Sequence, residues 1–383
     1  MIYFDNNATT QVEPEVFEAI KPYLGDVYGN PSSAHAAGRI ARKAVDEARE
    51  NIAALAGASF PDEIVFTSSG TESDNWAIRG ALEIFPERRH IVTTQVEHEA
   101  VRNLCRQLGD RGYSVTSLEV DSRGAIDLDQ LREAINENTA VVSVMLANNE
   151  TGILFPVDDV AKIVKERSDA LVHVDAVNAA GKIPINVKST AIDLLSISGH
   201  KFHAPKGIGA LYIKRGVTLR PLMIGGGQEQ GRRAGTEALH QIVGIGKAAE
   251  LVRQLAPMER VRALRDRLEN EILNRIPNSR INGTRDPALR LPNTSSISFE
   301  NTNGEAILAR LDELGVCVST GSACASGDHT ASPVLEAMKV PYIRAMGAIR
   351  FSLGRYNTAD EVEFVLDVLP KIVASLNAAA AGG

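Results

Sequence analysis

DLLSISGHKFHAPKGIGALYIK, residues 193 to 214, is the stretch on which the fold turns. DLLSIS and IGALYIK have the β-branched, apolar composition of buried strands. Only about ten residues, rich in Gly, Pro and His, join them, and a parallel pair would need a crossover of a dozen or more, usually helical. The second strand is therefore expected to return antiparallel to the first. Upstream the pattern differs. EIVFT (63–67), HIVTT (90–94), YSVTSLEV (113–120), AVVSVML (140–146) and ALVHVD (170–175) read as strands separated mostly by amphipathic helical patterns. Such alternation predicts an α/β fold, a mainly parallel sheet covered by helices on both faces.

Downstream of GGGQEQGRRAGTEALH (225–240), a helical pattern over roughly 237 to 275 carries the chain out of this unit. A smaller α+β lobe is expected to follow, with TSSISFE (294–300) and AIRFSL (348–353) as strands and 304–315 and 358–377 as helices. The division reads as a large domain over 13–255 and a small one made of 1–12 and 256–383. The first dozen residues are expected to join the small lobe or to lie over the active site. No internal repeat is visible, and the Ala/Gly tail from Ala378 reads as a frayed terminus.

The 383 residues are 44% hydrophobic and 23% charged, which is the composition of a soluble globular chain long enough for a large core. A net charge of -7 argues against nucleic acid as a partner, because polyanion binders display a basic surplus. Three cysteines, Cys105, Cys317 and Cys324, do not make a disulfide framework, and no CxxC metal pair occurs, so a reducing cytoplasm fits best. The chain opens with MIYFDNNATT, without the basic and apolar regions of a signal peptide, and nowhere reaches membrane-spanning length in apolar residues.

In open α/β sheets, ligands collect at the carboxyl ends of the strands, so the chemistry is sought there. TSSGTESDNWAI (67–78) ends a strand and opens a helix with small residues that leave backbone N–H groups for an anion. It reads as a phosphate cradle or as a plain N-cap. In LVHVDAVNAAGK (171–182), Asp175 closes a buried strand, where a carboxylate needs a cation or donors. A cofactor's ring nitrogen would serve, and so would a helix N-terminus. Lys201 stands at the end of the next strand and reads as a snorkelling surface residue, a phosphate clamp or a reactive amine. An amine, an acid and a phosphate turn at three strand mouths are together the parts that pyridoxal phosphate requires.

At this point the sequence resembles a known family. SGHKFHAPKGIGALY resembles the cofactor-lysine segment of the class V aminotransferase superfamily, and the rest is similar to cysteine desulfurases of the NifS/IscS type. YFDNNATT, NPSSAHAAGR, TSSGTESDN, EHEAV, NNETG, VDAVNAAGK, RRAGTE, GSACASG and IRFSLGR stand in the family's order over almost the whole chain. The resemblance implies pyridoxal-phosphate fold type I, with a sheet of the seven-stranded type. It also implies Lys201 as the Schiff-base lysine, Asp175 at the pyridinium nitrogen, and His98 over the ring and in proton transfer. Gly70, Thr71, Ser198 and His200 would hold the phosphate, and Thr236 would reach in from the partner of a homodimer. Asn149 and Arg350 would receive the substrate carboxylate, a task that suits the planar fork of arginine. By pattern alone His98 also reads as a helix-start residue, and Arg350 as one half of a surface ion pair. Asn178 departs from the family, which usually places there a glutamine that bonds the cofactor's phenolic oxygen. The shorter side chain is expected to alter the titration of the Schiff base while leaving the cofactor bound.

The reaction implied is cysteine desulfuration, in which L-cysteine becomes L-alanine and its sulfur is held as a persulfide. Cys324 lies in STGSACASGDHTASPVLEAM (319–338), which lacks apolar periodicity and reads as an exposed, mobile loop over about 319–332, so it is the expected nucleophile. Cys317 and Cys105 are expected in the core. The persulfide would pass to an acceptor protein such as an iron–sulfur scaffold. No resident metal is implied, Cys324 being at most a transient cluster ligand. A selenocysteine lyase or aminotransferase of the same superfamily, or a non-catalytic assembly scaffold, are the alternative readings.

Overall fold

A computed structural model describes residues 1–320 and 331–381. Its strands, in chain order, are β1 (Ile2–Tyr3), β2 (Ile64–Thr67), β3 (His90–Thr94), β4 (Ser114–Leu118), β5 (Thr139–Met145), β6 (Leu171–Asp175), β7 (Leu194–Ser198), β8 (Gly209–Ile213), β9 (Ser279–Ile281), β10 (Thr294–Phe299), β11 (Val316–Cys317) and β12 (Ala348–Ser352). Seven of them form one sheet in the order β2-β8-β7-β6-β5-β3-β4. The neighbours β7-β6-β5-β3-β4 are all parallel, and β8 runs antiparallel to both β7 and β2. Every residue of β5 and β6 is buried, because helices cover both faces. The edge strand β4, SVTSL, carries hydroxyls and is mostly exposed or half-buried.

The short return from β7 to β8 forces the antiparallel pairing, and the packing beside it is close. A Cβ at Gly209 would stand 2.7 Å from the main-chain carbon of Ser69 and 2.8 Å from the Ile197 carbonyl oxygen. A glycine thus lets β8 approach the turn that opens the helix Gly70–Ile84.

A second, three-stranded antiparallel sheet, β12-β10-β9, has its own core of Phe4, Leu268, Ile272, Ile297, Phe299, Phe351, Leu366 and their neighbours. The N-terminal residues serve both expected purposes. β1 pairs with β11 and Asp5 bridges Ser352, whereas Ala8 lines the large cavity described below.

The helical pattern read over 237 to 275 is two helices, Leu239–Val252 and Ala256–Arg275. Pro257 is the cause: it has no N–H, disfavours helix in the residue before it, and is tolerated only in a first turn. Pro370 lies inside the helix Ala359–Ala381, and the carbonyl it deprives of a partner, that of Leu366, accepts from Arg275 Nη1 at 3.4 Å. Cys105 is buried, as expected, but Cys317 is only half-buried. It sits in the two-residue strand β11, paired solely with the equally short β1, which covers it incompletely. Among the described residues no helix is long and apolar enough to cross a membrane.

Candidate active site

A cavity of about 290 Å³ opens at the carboxyl ends of the parallel strands. Its walls hold Gly70, Thr71, His98, Asn149, Asp175, Asn178, Ser198, His200 and Lys201, together with Asp74 and Ala8. Nine sequence-predicted residues, from five separate segments, are therefore brought to one place.

Each segment has a local reason for its shape. Ser69 caps the helix Gly70–Ile84 by accepting from Glu72 N at 3.1 Å, and the helix start leaves the N–H groups of Gly70 and Thr71 without intrahelical acceptors. A Cβ at Gly70 would fall 2.6 Å from Val177 Cγ2 and 3.3 Å from Ser198 Cβ, so this turn packs against its neighbours only as glycine. His98 caps the helix Glu99–Asp110, its Nδ1 accepting from Ala100 N at 3.2 Å. Asn148 shapes the NNETG turn by accepting from Glu150 N and Thr151 N at 3.0 and 2.9 Å, which presents Asn149 at the cavity. His200 lies just after β7 with Nδ1 3.2 Å from Thr9 Oγ1, and burial pushes its imidazole down to about 4, leaving it neutral.

Lys201 donates through Nζ to the carbonyls of Asn7 and Ala8. Burial first, and the Arg350 guanidinium second, push its amine from the ordinary lysine value down to about 8. Asp175 is 5% exposed, and one of its oxygens accepts from Val177 N at 2.8 Å. A second carboxylate, Asp74, stands beneath it at 1% exposure, with Oδ1 unpartnered and 3.5 Å from His173 Nε2. Burial, then the facing Asp175 carboxylate, hold Asp74 well above the carboxylate range. Burial also raises Asp175, but His98, the Val177 N–H and Lys201 oppose the rise. Both carboxyls are raised, Asp74 the further, so Asp74 takes up a proton more readily than Asp175.

Arg350 lies on β12 just beyond the cavity, 7% exposed. It donates to Asp5 Oδ1 at 2.7 Å and to the Asn149 carbonyl at 3.1 Å, while its buried Nε has no partner among the described residues. Thr236 does not line this cavity but lies in another, beside Phe66, Gly207 and Arg233. Cys324 lies outside the described residues. The chain enters its segment at Ser319, which exchanges main-chain hydrogen bonds of 2.7 and 3.3 Å with Arg350, and leaves it near Ser332, whose hydroxyl bonds Glu150.

Sequence reading missed Asp74, although it stands four residues after Gly70 on the same helical face. It also assigned no task to Asp5, Asn7, Ala8 and Thr9. The sequence placed this segment near the small lobe or the active site but did not say which of its residues would meet β7 and β12.

The donor set fits pyridoxal phosphate: an amine, a buried carboxylate able to meet a protonated ring nitrogen, and free helix-start N–H groups beside a glycine cradle. A lysine and a carboxylate so placed on a mainly parallel sheet define the fold type I class, and the chain belongs to the family described as Aminotransferase class-V, which matches residues 2–365. Enzymes of this family depend on pyridoxal phosphate. The chain is 57% identical over 380 residues to a cysteine desulfurase of Nostoc sp. strain PCC 7120, covering 99% of this chain and 94% of that one. It is 48% identical to the cysteine desulfurase NifS of Azotobacter vinelandii, covering 98% and 93%. A solved NifS-like protein superposes with a TM-score of 0.91 at 41% identity, covering 98% of this chain and all of that one.

Proposed function

We propose that the chain is a pyridoxal-phosphate-dependent cysteine desulfurase that converts L-cysteine to L-alanine and leaves the sulfur as a persulfide on Cys324. The observation that carries this reading is the Lys201 amine and the Asp175 carboxylate on the walls of one cavity, beside the helix-start turn of Gly70 and Thr71. When bound, pyridoxal phosphate supplies an aldehyde for the amine and a ring that accepts the electron pair of the substrate's α-carbon. In this reading Asp175 would keep the ring nitrogen protonated, His98 would lie beside the ring, and Gly70, Thr71, Ser198 and His200 would hold the phosphate. Thr236 completes the phosphate site from the partner subunit of a homodimer.

Lys201 fits the part of proton carrier because an amine near 8 is protonated and deprotonated at comparable cost around neutral pH. Arg350, held against Asp5 and Asn149, is set to receive the substrate carboxylate. The thiolate of Cys324 attacks the substrate sulfur, the Cβ–S bond breaks, and the carbon keeps the electron pair and takes a proton to become the methyl of alanine. The flanks of the Cys324 segment support this assignment, since Ser319 is bound to Arg350 and Ser332 to Glu150, the neighbour of Asn149. Residues 13–255 form the cofactor domain, and 1–12 with 256–383 the smaller one. The persulfide passes in the cytoplasm to an acceptor protein of iron–sulfur assembly or another thiolation route.

The test compares wild type with Cys324→Ala and Lys201→Ala, following alanine and protein-bound persulfide from L-cysteine. Both variants are expected to lose both products. Retained alanine formation with full persulfide in either variant would overturn the assignment.

A further inference from the structure

Lys182 is a lysine that the reaction leaves without a task, and it is 7% exposed. It ends the turn that follows β6, and its Nζ reaches back to the Asn178 main-chain carbonyl at 2.7 Å and to Asn178 Oδ1 at 3.1 Å. No carboxylate lies within ion-pair distance of it among the described residues. A gap of about 20 Å³, room for one water, separates it from Lys201, with Asn6, Thr10, His203 and Arg355 also on its walls. The charged and titratable groups facing Lys182 are thus Lys201, His203 and Arg355 across the gap, with Arg350 and His200 further off, and none is acidic. A buried lysine in such company is costly unless its N–H groups do something specific.

What they do is decide which way Asn178 faces. An asparagine amide presents a donor on one side and an acceptor on the other, and the two are interchangeable by a half-turn. The Asn148 carbonyl on the other side can only accept, so the nitrogen faces it and the oxygen turns to Lys182, which donates to it. Asn178 Nδ2 then points to the Asn148 carbonyl, 3.3 Å away, and to the cavity that Asn178 lines. We propose that Lys182 is a positioning residue that locks the Asn178 carboxamide with its donor toward the cavity, so that the shortened side chain at this position still offers an N–H to the cofactor's phenolic oxygen. This rests on the function proposed above. The amine is pushed well below the ordinary lysine value, by burial first and then by Lys201 and Arg350. Even uncharged, it keeps the two N–H groups that the geometry uses.

Lys182→Met removes both donors with little change of volume, and replacing a buried, unpaired amine by an apolar chain spares the fold. The readout is the pH at which the visible absorbance of the holoenzyme changes. Freed from Lys182, the carboxamide is held by the Asn148 carbonyl alone and presents its donor to the cavity less of the time, so the inflection is expected to rise, by up to about one pH unit, a tenfold change in the equilibrium. In an Asn178→Ala background the same substitution is expected to shift nothing, because the lysine acts through the amide. An unchanged inflection in Lys182→Met, or an equal shift in both backgrounds, would overturn the proposal. A crystal structure of the wild-type holoenzyme tests it without any variant, and Lys182 Nζ beyond hydrogen-bond distance of Asn178 Oδ1 there would overturn it as well. If wild type itself showed no cofactor absorbance, the proposed function would fail first, and visibly apart from this inference.

Discussion

The Lys201 amine is pushed from the ordinary lysine value of 10.5 down to about 8, and in the function proposed above the difference governs how fast the apoprotein takes up pyridoxal phosphate. Only the uncharged amine condenses with an aldehyde. At pH 7 an amine at about 8 is uncharged in roughly one molecule in eleven, whereas one at 10.5 is uncharged in about three of ten thousand, a ratio of roughly 300. The rate of absorbance change after mixing apoprotein with excess pyridoxal phosphate, measured from pH 6 to 10, is therefore expected to climb tenfold per pH unit and level off near pH 8. Burial is the main cause and no single substitution removes it, but Arg350 is the next. Arg350→Leu is expected to move the break upward, because a neighbouring positive charge has been taken away. The sign for stability follows from the same shift. Between about pH 8 and 10.5 the unfolded chain binds more protons at this residue than the folded one, so the cost of burying Lys201 falls as pH rises through that window. A rate still climbing tenfold per unit at pH 9 and 10 in wild type would refute the reasoning.

Other substitutions test other parts of the molecule. Gly70→Ala puts a methyl 2.6 Å from Val177 Cγ2, so cofactor affinity by absorbance titration is expected to fall at least about tenfold while the far-ultraviolet circular dichroism is kept. Unchanged affinity would remove this turn from the phosphate site. Asp175→Asn takes the carboxylate from the wall of the cavity and is expected to lower alanine formation by roughly 100-fold or more, and a loss below tenfold would show that the carboxylate is not used. Arg49 holds Glu229 through two bonds of 2.7 and 2.8 Å, both residues being buried, and Glu229 also accepts from Phe66 N at 3.0 Å. Arg49→Met should cost about 3 to 5 kcal/mol in urea unfolding, since it strands a buried charge. A loss under about 1 kcal/mol would show that water reaches Glu229.

Periodicity and linker length carried much of the fold. The return from β7 to β8 was legible because ten residues cannot make a crossover, and the parallel strands because their runs are apolar on both faces. The break at 253–255 was legible too, in Pro257, yet the amphipathic pattern continued across it and outweighed the proline. The half-burial of Cys317 was not legible, since an apolar run says nothing about how short the strand beside it is. Within the site, the strand-end residues Asp175 and Lys201 could be found because polar groups that close apolar strands are uncommon without a use. Asp74 and Lys182 lay inside motifs already noted, but their importance depends on which groups face them in space.

The order of residues along the chain determined which chemical groups were available: an amine, carboxylates, a small-residue helix start and an arginine, each tied to the end of a local element by propensity and capping. It left their mutual distances open, because those depend on the stacking of strands that are far apart in sequence. Only the tertiary structure set the raised carboxyls of Asp74 and Asp175, the depressed amine of Lys201 and the facing of Asn178 by Lys182. Each of these is an electrostatic or hydrogen-bond relation between groups that share a water-poor interior, and its strength depends on separation and burial, which are properties of the folded chain.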